Sequence, residues 1–214
     1  MPPIIVYFLG ASRSIRIAWL LEELGLEYEV RGAEREGNKA PQWMKDEVGG
    51  LGKFPVLKDG EVLVTESGCI AEYLCDKYDS AHRLLPAIGD PERYRILQWV
   101  HAAEATFMLH SLAILYTRWN QPDGDVKATE KNLAMNVEKD LAFFQSELSK
   151  TPGKFLFGDD LCVADAMMEF SLDFILTREL GVKAQEWPEV EQYVRGCQET
   201  GTWAKARERT GYKL

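Results

Sequence analysis

A small α/β domain followed by an all-helical domain is the fold class that this 214-residue chain predicts. Three observations carry the reading. Apolar runs of strand length alternate with helical periods over residues 1–80, in the order β-α-β-α-β-β-α. From residue 91 onward only helical periods remain. Between the two lies "DSAHRLLPAIGDPER", a segment with two prolines that reads as a linker.

Each element has a local reason. Residues 4–9, "IIVYFL", form a continuous apolar run of strand length. "SRSIRIAWLLEELG" follows with a helix period: Ser12 can cap it, Ile15, Ala18, Trp19, Leu21 and Leu24 face inward, and Gly25 stops it. "LEYEV" from Leu26 alternates as a strand does, and a short amphipathic piece runs from Gln42 to Glu47. Phe54 to Leu57 and Val62 to Val64 flank Asp59-Gly60, a strong hairpin signal. Strand–helix–strand order favours parallel pairing of the first two strands, and the hairpin adds antiparallel ones. "ESGCIAEYLCDKY" then reads as a helix. Later helical periods cover roughly 91–120, 125–149, 162–178, 187–198 and 202–209, punctuated by glycine and proline.

Composition sets limits on function. Lys and Arg total 25 against 34 Asp and Glu, a formal charge of −9, which works against nucleic acid or an anionic membrane as the main partner. No positive region precedes the first apolar run and no apolar stretch reaches the roughly 18 residues of a membrane span, so neither a secretory signal nor a spanning helix is expected. Cys69, Cys75, Cys162 and Cys197 have no metal-ligand spacing and read as reduced, buried thiols of a cytoplasmic chain. His101 and His110 lie half a turn apart round one helix, so they do not form a metal pair.

One feature of the hairpin asks for an explanation. Pro55 opens its first strand, where it cannot donate to a ladder. A proline at that point, an α/β domain before it and a helical domain after it, together with "SRSIRIAWLLEELGLEYEV", "GKFPVL", "ESGCIAEYL" and "GDDLCVADAMMEF" in that order, resemble the cytosolic glutathione transferases. The first stretch is similar to the serine-type members of the bacterial and fungal kind. The resemblance implies a thioredoxin-like glutathione-binding domain over 1–80, a linker over 81–90, and an all-α domain over 91–214 that carries an electrophile pocket. It further implies a cytoplasmic homodimer acting in detoxification, with glutathione as co-substrate, no other cofactor and no metal.

The resemblance also assigns residues. It implies a cis Pro55, whose bend leaves the N–H and C=O of Phe54 to grip the cysteinyl backbone of glutathione like an added strand. Glu66 and Ser67 open a helix, where free N–H groups and the dipole attract the γ-glutamyl carboxylate. Lys39 and Lys53 face the glycine carboxylate. A free thiol titrates near about 8.5, and lowering it by about two units takes about 2.7 kcal/mol of thiolate stabilisation. The loop "GASRS" supplies Ser12 as the donor to sulfur, with Ser14 and then Tyr7 as alternatives, while Arg13 and Arg16 support the loop or the domain interface. Phe107, Met108, Leu112 and Tyr116 would line the pocket for a small apolar electrophile. The same thiolate could reduce organic hydroperoxides. The loop lacks the cysteine of the disulfide-exchanging classes. The alternative is a transferase-like ligand-binding or regulatory protein without turnover.

Two departures stand out. Relatives often carry Asn-Pro or His-Pro where this chain has Gly49-Gly50, which loosens the loop beside the expected glutathione site. The motif of the second domain has Ser or Thr as a helix cap three residues before Asp, and here the cap is Cys162 before Asp165. A thiol accepts weakly, so Cys162→Ser is expected to raise stability by up to ~1 kcal/mol. Thermal unfolding checks it, and an unchanged or lowered midpoint counts against it.

Overall fold

The computed structural model describes residues 3–214. The chain divides into two compact units, Met1–Arg93 together with Glu199–Leu214, and Tyr94–Gln198. None of the described helices is long and apolar enough to cross a membrane.

The first unit is built on a four-stranded sheet in the order β2-β1-β3-β4. Strand β1 (Ile4–Leu9) pairs in parallel with β2 (Tyr28–Ala33) and antiparallel with β3 (Val56–Asp59), which pairs antiparallel with β4 (Val62–Thr65). A central strand covered on both faces needs apolar side chains on both, which is why "IIVYFL" shows no alternation. The outer strand β4 is largely exposed. The hairpin turns through Gly60-Glu61, one residue later than the sequence pattern places it, with Gly60 at φ 62, a backbone region that glycine enters without a Cβ penalty.

Helix α1 (Ser14–Glu23) is buried from Ser14 through Leu21, on more sides than its apolar period requires. The last helix of the chain accounts for this. Helix α9 (Gly201–Thr210), which the sequence groups with the helical domain, packs on α1 within the first unit. The Trp19 indole N–H donates to Thr202 Oγ1 at 3.1 Å, and the Thr202 hydroxyl donates to Glu23. Arg209 donates to Glu22 at 3.1 Å and lies 4.1 Å over the Tyr28 ring. Helix α2 (Gln42–Val48) and helix α3 (Ser67–Tyr78) complete the layers of this unit.

The expected linker is also anchored here. Leu84 and Leu85 are buried, and their N–H groups donate to Asp79 Oδ2 at 2.6 and 3.4 Å. Arg93 grips both carboxylate oxygens of Asp76 at 2.9 and 3.1 Å and the carbonyl of Pro86 at 2.9 Å. The compact unit therefore extends to Arg93, past the composition break that marks the linker in the sequence.

In the second unit, α4 (Pro91–Ala102, entering from the first), a π-helical stretch (Ala103–Met108) and α5 (Leu109–Asn120) run on as one length of chain. Apolar periodicity reads this as a single helix, because one extra residue per turn over so short a stretch barely moves the pattern. Ser171 Oγ donates to the Ala103 carbonyl at 3.0 Å, filling an acceptor where the helical ladder changes step. Helix α7 (Val163–Thr177) is buried nearly throughout and packs against α8 (Pro188–Gln198) and the π-helical stretch, while α6 (Val126–Leu148) packs along α5. Trp99, Phe143, Phe144 and Tyr193 form an aromatic cluster, with Trp99 stacked on Phe143 at 5.4 Å and Phe144 edge-on to Tyr193 at 5.0 Å. Asp165 sits wholly buried at the start of α7 and accepts from the N–H of Cys162 at 2.8 Å, the N–H of Leu156 at 2.9 Å and the hydroxyl of Tyr193 at 2.7 Å. The Cys162 thiol is the reciprocal member of the capping box that the sequence predicts.

Of the four cysteines, Cys75, Cys162 and Cys197 are buried, whereas Cys69 on α3 is exposed, contrary to the expectation that all are buried. Burial and the nearby Asp79 and Asp76 push the Cys75 thiol up to about 12, and burial raises Cys162 and Cys197 as well.

Asp59, at the end of β3, joins the sheet to α3. Its Oδ2 accepts from Lys77 at 2.7 Å, Tyr73 at 2.8 Å and Tyr78 at 2.6 Å. Burial alone would raise this carboxyl, but the three donors and the Lys77 charge outweigh it and hold the carboxyl below its usual range. A lowered acid contributes stability above its unfolded pKa and loses it as pH falls through the folded one. Asp59→Asn is expected to cost about 2 kcal/mol at neutral pH, discounted for the solvent exposure of Lys77. The deficit should shrink as the wild type is acidified below about pH 4. Denaturant unfolding at several pH values checks this, and a pH-independent deficit would refute it.

Candidate functional site

Strand register brings the predicted site together. Tyr7 pairs with Val56, Val56 with Thr65, and Leu9 with Ala33. The loop after β1, the residues ahead of β3, the residues after β4 and the loop after β2 therefore all lie at one end of the sheet. Ser12 and Ser14, Phe54 and Pro55, Glu66 and Ser67, and Arg35 to Lys39 belong to those four segments.

The serine loop is densely bonded. Chain direction reverses through Gly10 and Ala11, the latter at φ 47, and α1 begins at Ser14 with Arg13 as its cap residue. Ser12, predicted as the cap, stands one position earlier, and its Oγ accepts from the Ser14 N–H at 3.2 Å. The Ser12 hydroxyl donates to the Leu9 carbonyl at 2.7 Å, and the two serine oxygens are 2.8 Å apart. Since the single Ser12 proton goes to Leu9, the Ser14 hydroxyl is the donor between the serines. Ser14 in turn accepts from the Leu9 N–H at 3.3 Å. Ser14 is completely enclosed and Ser12 retains 4% exposure.

Arg35 holds this loop from outside. Its guanidinium donates to the carbonyls of Gly10 at 3.1 Å, Ala11 at 3.3 Å and Asn38 at 3.4 Å. Composition alone does not single it out. The register could have, because pairing Leu9 with Ala33 sets residues 34 and 35 beside residues 10 and 11.

The Phe54-Pro55 bond is cis, as the resemblance implies. Both ladders of β3 begin at Val56, so the backbone of Phe54 lies beyond them at the strand head. Its side chain joins Tyr7, Leu9, Ala40, Met44 and Val56 in a core cluster beneath the site. Lys39 directly precedes Ala40 and Lys53 directly precedes Phe54, so both exposed lysines flank that cluster. Gly52, just before Lys53, has φ 60, and a Cβ there would come within 2.8 Å of the Lys45 side chain, so the approach to the strand head requires glycine. Across the sheet end, Glu66 takes a positive φ of 67 and is exposed, while Ser67 is buried as the first residue of α3. A glutamate held in that region is locally strained, a cost of order 1–3 kcal/mol that the surrounding structure must offset. Arg16, on α1, donates to Ser67 Oγ at 2.9 Å.

The sequence profile of the glutathione S-transferase N-terminal domain family matches residues 2–76. Glutathione S-transferase 1 of Saccharomyces cerevisiae is 26% identical over 98% of this chain and 96% of its own length. Glutathione S-transferase 3 of Schizosaccharomyces pombe is 36% identical over 49% of this chain and 43% of its own. Among solved structures, a glutathione S-transferase from Actinobacillus pleuropneumoniae superposes with a TM-score of 0.84 at 28% identity, covering 97% of this chain and 93% of the other. Along its whole length the chain is thus similar to glutathione S-transferases, and residues 2–76 match their N-terminal domain.

The α/β unit is the thioredoxin-like part of that fold. The remaining predicted positions are on the helical unit. Phe107 and Met108 lie in the π-helical stretch and are buried, Phe107 packing within the unit against Trp99 and Phe144 at 6.2 and 6.1 Å. Leu112 is half-buried and Tyr116 exposed on α5, where Tyr116 pairs with Trp119 at 5.9 Å. His110 bonds Asp140 on α6 at 2.6 Å. Among the described residues no group of three or more His, Cys, Asp and Glu is arranged to hold a metal ion.

Tyr7 is directed away from the serine loop. Its hydroxyl donates to Glu47 Oε1 on α2 at 3.1 Å, and Arg31 donates to the same oxygen. Odd-numbered residues of β1 face this side of the sheet, and a hydroxyl on that face reaches α2 first. Tyr7→Phe is expected to leave turnover of glutathione within about threefold of wild type while costing about 1 kcal/mol of stability. Steady-state kinetics beside thermal unfolding separate the two, and a loss of turnover far larger than threefold would return Tyr7 to the chemistry.

Proposed function

We propose that the chain is a serine-type glutathione transferase that activates the thiol of glutathione with Ser12 and adds it to small apolar electrophiles. The observation that carries this reading is the convergence of four segments at one sheet end: a hydroxyl loop, a strand head beyond its ladders, a helix start with an enclosed serine, and a lysine-bearing loop. Each matches one part of the tripeptide.

Glutathione would lie as an extra strand against the Phe54 backbone. Its γ-glutamyl carboxylate would meet the start of α3 at Ser67, where unpaired N–H groups and the helix dipole favour an anion. Glu66 would accept from its ammonium group, and Lys53 with Lys39 would face the glycine carboxylate. The cysteinyl sulfur would then stand over the serine loop. Ser12 is preferred to Ser14 because it keeps 4% of its surface exposed, whereas Ser14 is completely enclosed. Rotation about the Ser12 Cβ–Oγ bond would exchange the Leu9 carbonyl for sulfur as the acceptor of its proton. Ser14, donating to Ser12 Oγ, would raise the donor strength of that hydroxyl. The stabilised thiolate, its proton already lost to solvent, attacks the electrophilic carbon: the C–S bond forms as a leaving group departs with its bonding pair, or as a π bond opens and its electron pair takes a proton from water. Attack on a hydroperoxide oxygen by the same thiolate is the expected side activity: the O–O bond breaks to release an alcohol, and the glutathione sulfenic acid left behind is reduced by a second glutathione to the disulfide and water. Leu112 and Tyr116 would supply apolar surface to the electrophile. Phe107 and Met108, being buried, would act behind such a surface.

One observation favours a second reading. The Ser12 proton is already committed to Leu9 at 2.7 Å, as it would be in a ligand-binding relative that performs no turnover.

Ultraviolet titration of the thiolate of bound glutathione separates the readings. Wild type is expected to lower the thiol pKa by about two units, and Ser12→Ala to abolish that lowering. Lowering that survives the mutation would move the role to Ser14 or to backbone N–H groups. Binding with no lowering would leave a ligand-binding protein.

A further inference from the structure

Arg16 lies on α1 among Ile15, Ile17, Ala18 and Trp19, with 1% of its surface exposed. A buried charge is unfavourable unless its surroundings compensate it, and a methionine would fill the same volume without that cost. From this position the guanidinium reaches across to α3 and donates to Ser67 Oγ at 2.9 Å. Two residues earlier on the same helix stands Ser14, which hydrogen-bonds to Ser12. One rigid turn of α1 therefore carries both the support of the serine loop and the partner of Ser67.

The direction of that bond matters. A serine hydroxyl has one proton and two lone pairs. Arginine can only donate, so it occupies a lone pair of Ser67 Oγ and leaves the hydroxyl proton to point elsewhere. Resting on the glutathione reading above, we propose that Arg16 is a positioning residue for the γ-glutamyl end of the substrate. It turns the Ser67 proton toward the α-carboxylate and places a positive charge behind it, in line with the N-terminal dipole of α3. The planar fork sets the direction of the donor, and the charge strengthens the acceptor site for an anion. Arg16 acts through Ser67 and does not itself touch the substrate.

The test uses two peptides, glutathione and 4-aminobutyryl-Cys-Gly, which is glutathione without the γ-glutamyl α-carboxylate. Calorimetric binding of both is measured for wild type, Arg16→Gln and Arg16→Lys, with thermal unfolding of each. Wild type should prefer glutathione. Arg16→Gln should weaken glutathione by roughly tenfold or more, the loss expected for a charge-assisted bond, and leave the analogue unchanged, so that the preference collapses. Arg16→Lys, keeping the charge without the fork, should lose part of the preference, and it decides the matter if the glutamine variant fails to fold. Equal weakening of both peptides, or a wild-type preference fully retained in either variant, would overturn the positioning role and leave Arg16 as structural support. Wild type that binds neither peptide would overturn the glutathione reading instead, a result distinct from equal weakening in the variants.

Discussion

A helix that starts inside a protein must find partners there for every polar group it carries. Helix α1 is in that position: from Ser14 to Leu21 it has no solvent to turn to. Its leading polar residues, and the loop that precedes it, therefore bond to the structure around them. Ser14 turns back to the Leu9 N–H and to Ser12, Ser12 to the Leu9 carbonyl, and Arg16 crosses to Ser67. Those bonds fix the serine loop against β1 and fix α1 against α3. Since an unsatisfied buried polar group costs about as much as a mutation in the core, this set is hard to rearrange piecemeal.

What encloses α1 comes from the far end of the chain. Helix α9 supplies Thr202 to Trp19 and Glu23, and Arg209 to Glu22 and the Tyr28 ring. A segment nearly two hundred residues distant in sequence thus keeps water from the helix that supports the site. The second unit follows the same logic around Asp165. That carboxylate is wholly buried yet has three donors, one of them from another helix, so a polar group orients α7 within an otherwise apolar packing.

Much of the backbone of the candidate site was legible in the sequence because its patterns are local. A proline before a strand, a serine loop after one, and Glu66-Ser67 before a helix are each short patterns with direct backbone consequences. The parallel first pair, the antiparallel hairpin and the cis Phe54-Pro55 bond follow the expectation. Other features were not legible. Arg16 reads as a loop or interface residue until its reach to Ser67 is seen, because periodicity assigns a face and not a partner. Tyr7 reads as a candidate donor from its strand, and only the packing of α2 shows its hydroxyl engaged by Glu47. Phe107 and Met108 read as pocket wall, while the aromatic packing of the helical unit encloses them. The π-helical stretch was hidden in a pattern that differs from an α-helix by one residue per turn.

Residues a few positions apart dictate the strands and most helices, their order, the hairpin and the capping box of α7, and the strand–helix–strand order favours the parallel first pair. Only folding brings α9 to the α/β unit, buries the linker residues Leu84 and Leu85, and buries both serines of the loop, Ser12 keeping 4% exposure and Ser14 none. The physical reason is the range of the forces. Backbone propensity and turn chemistry act between near neighbours, whereas burial and the satisfaction of buried polar groups are properties of surfaces that meet only after the chain has folded.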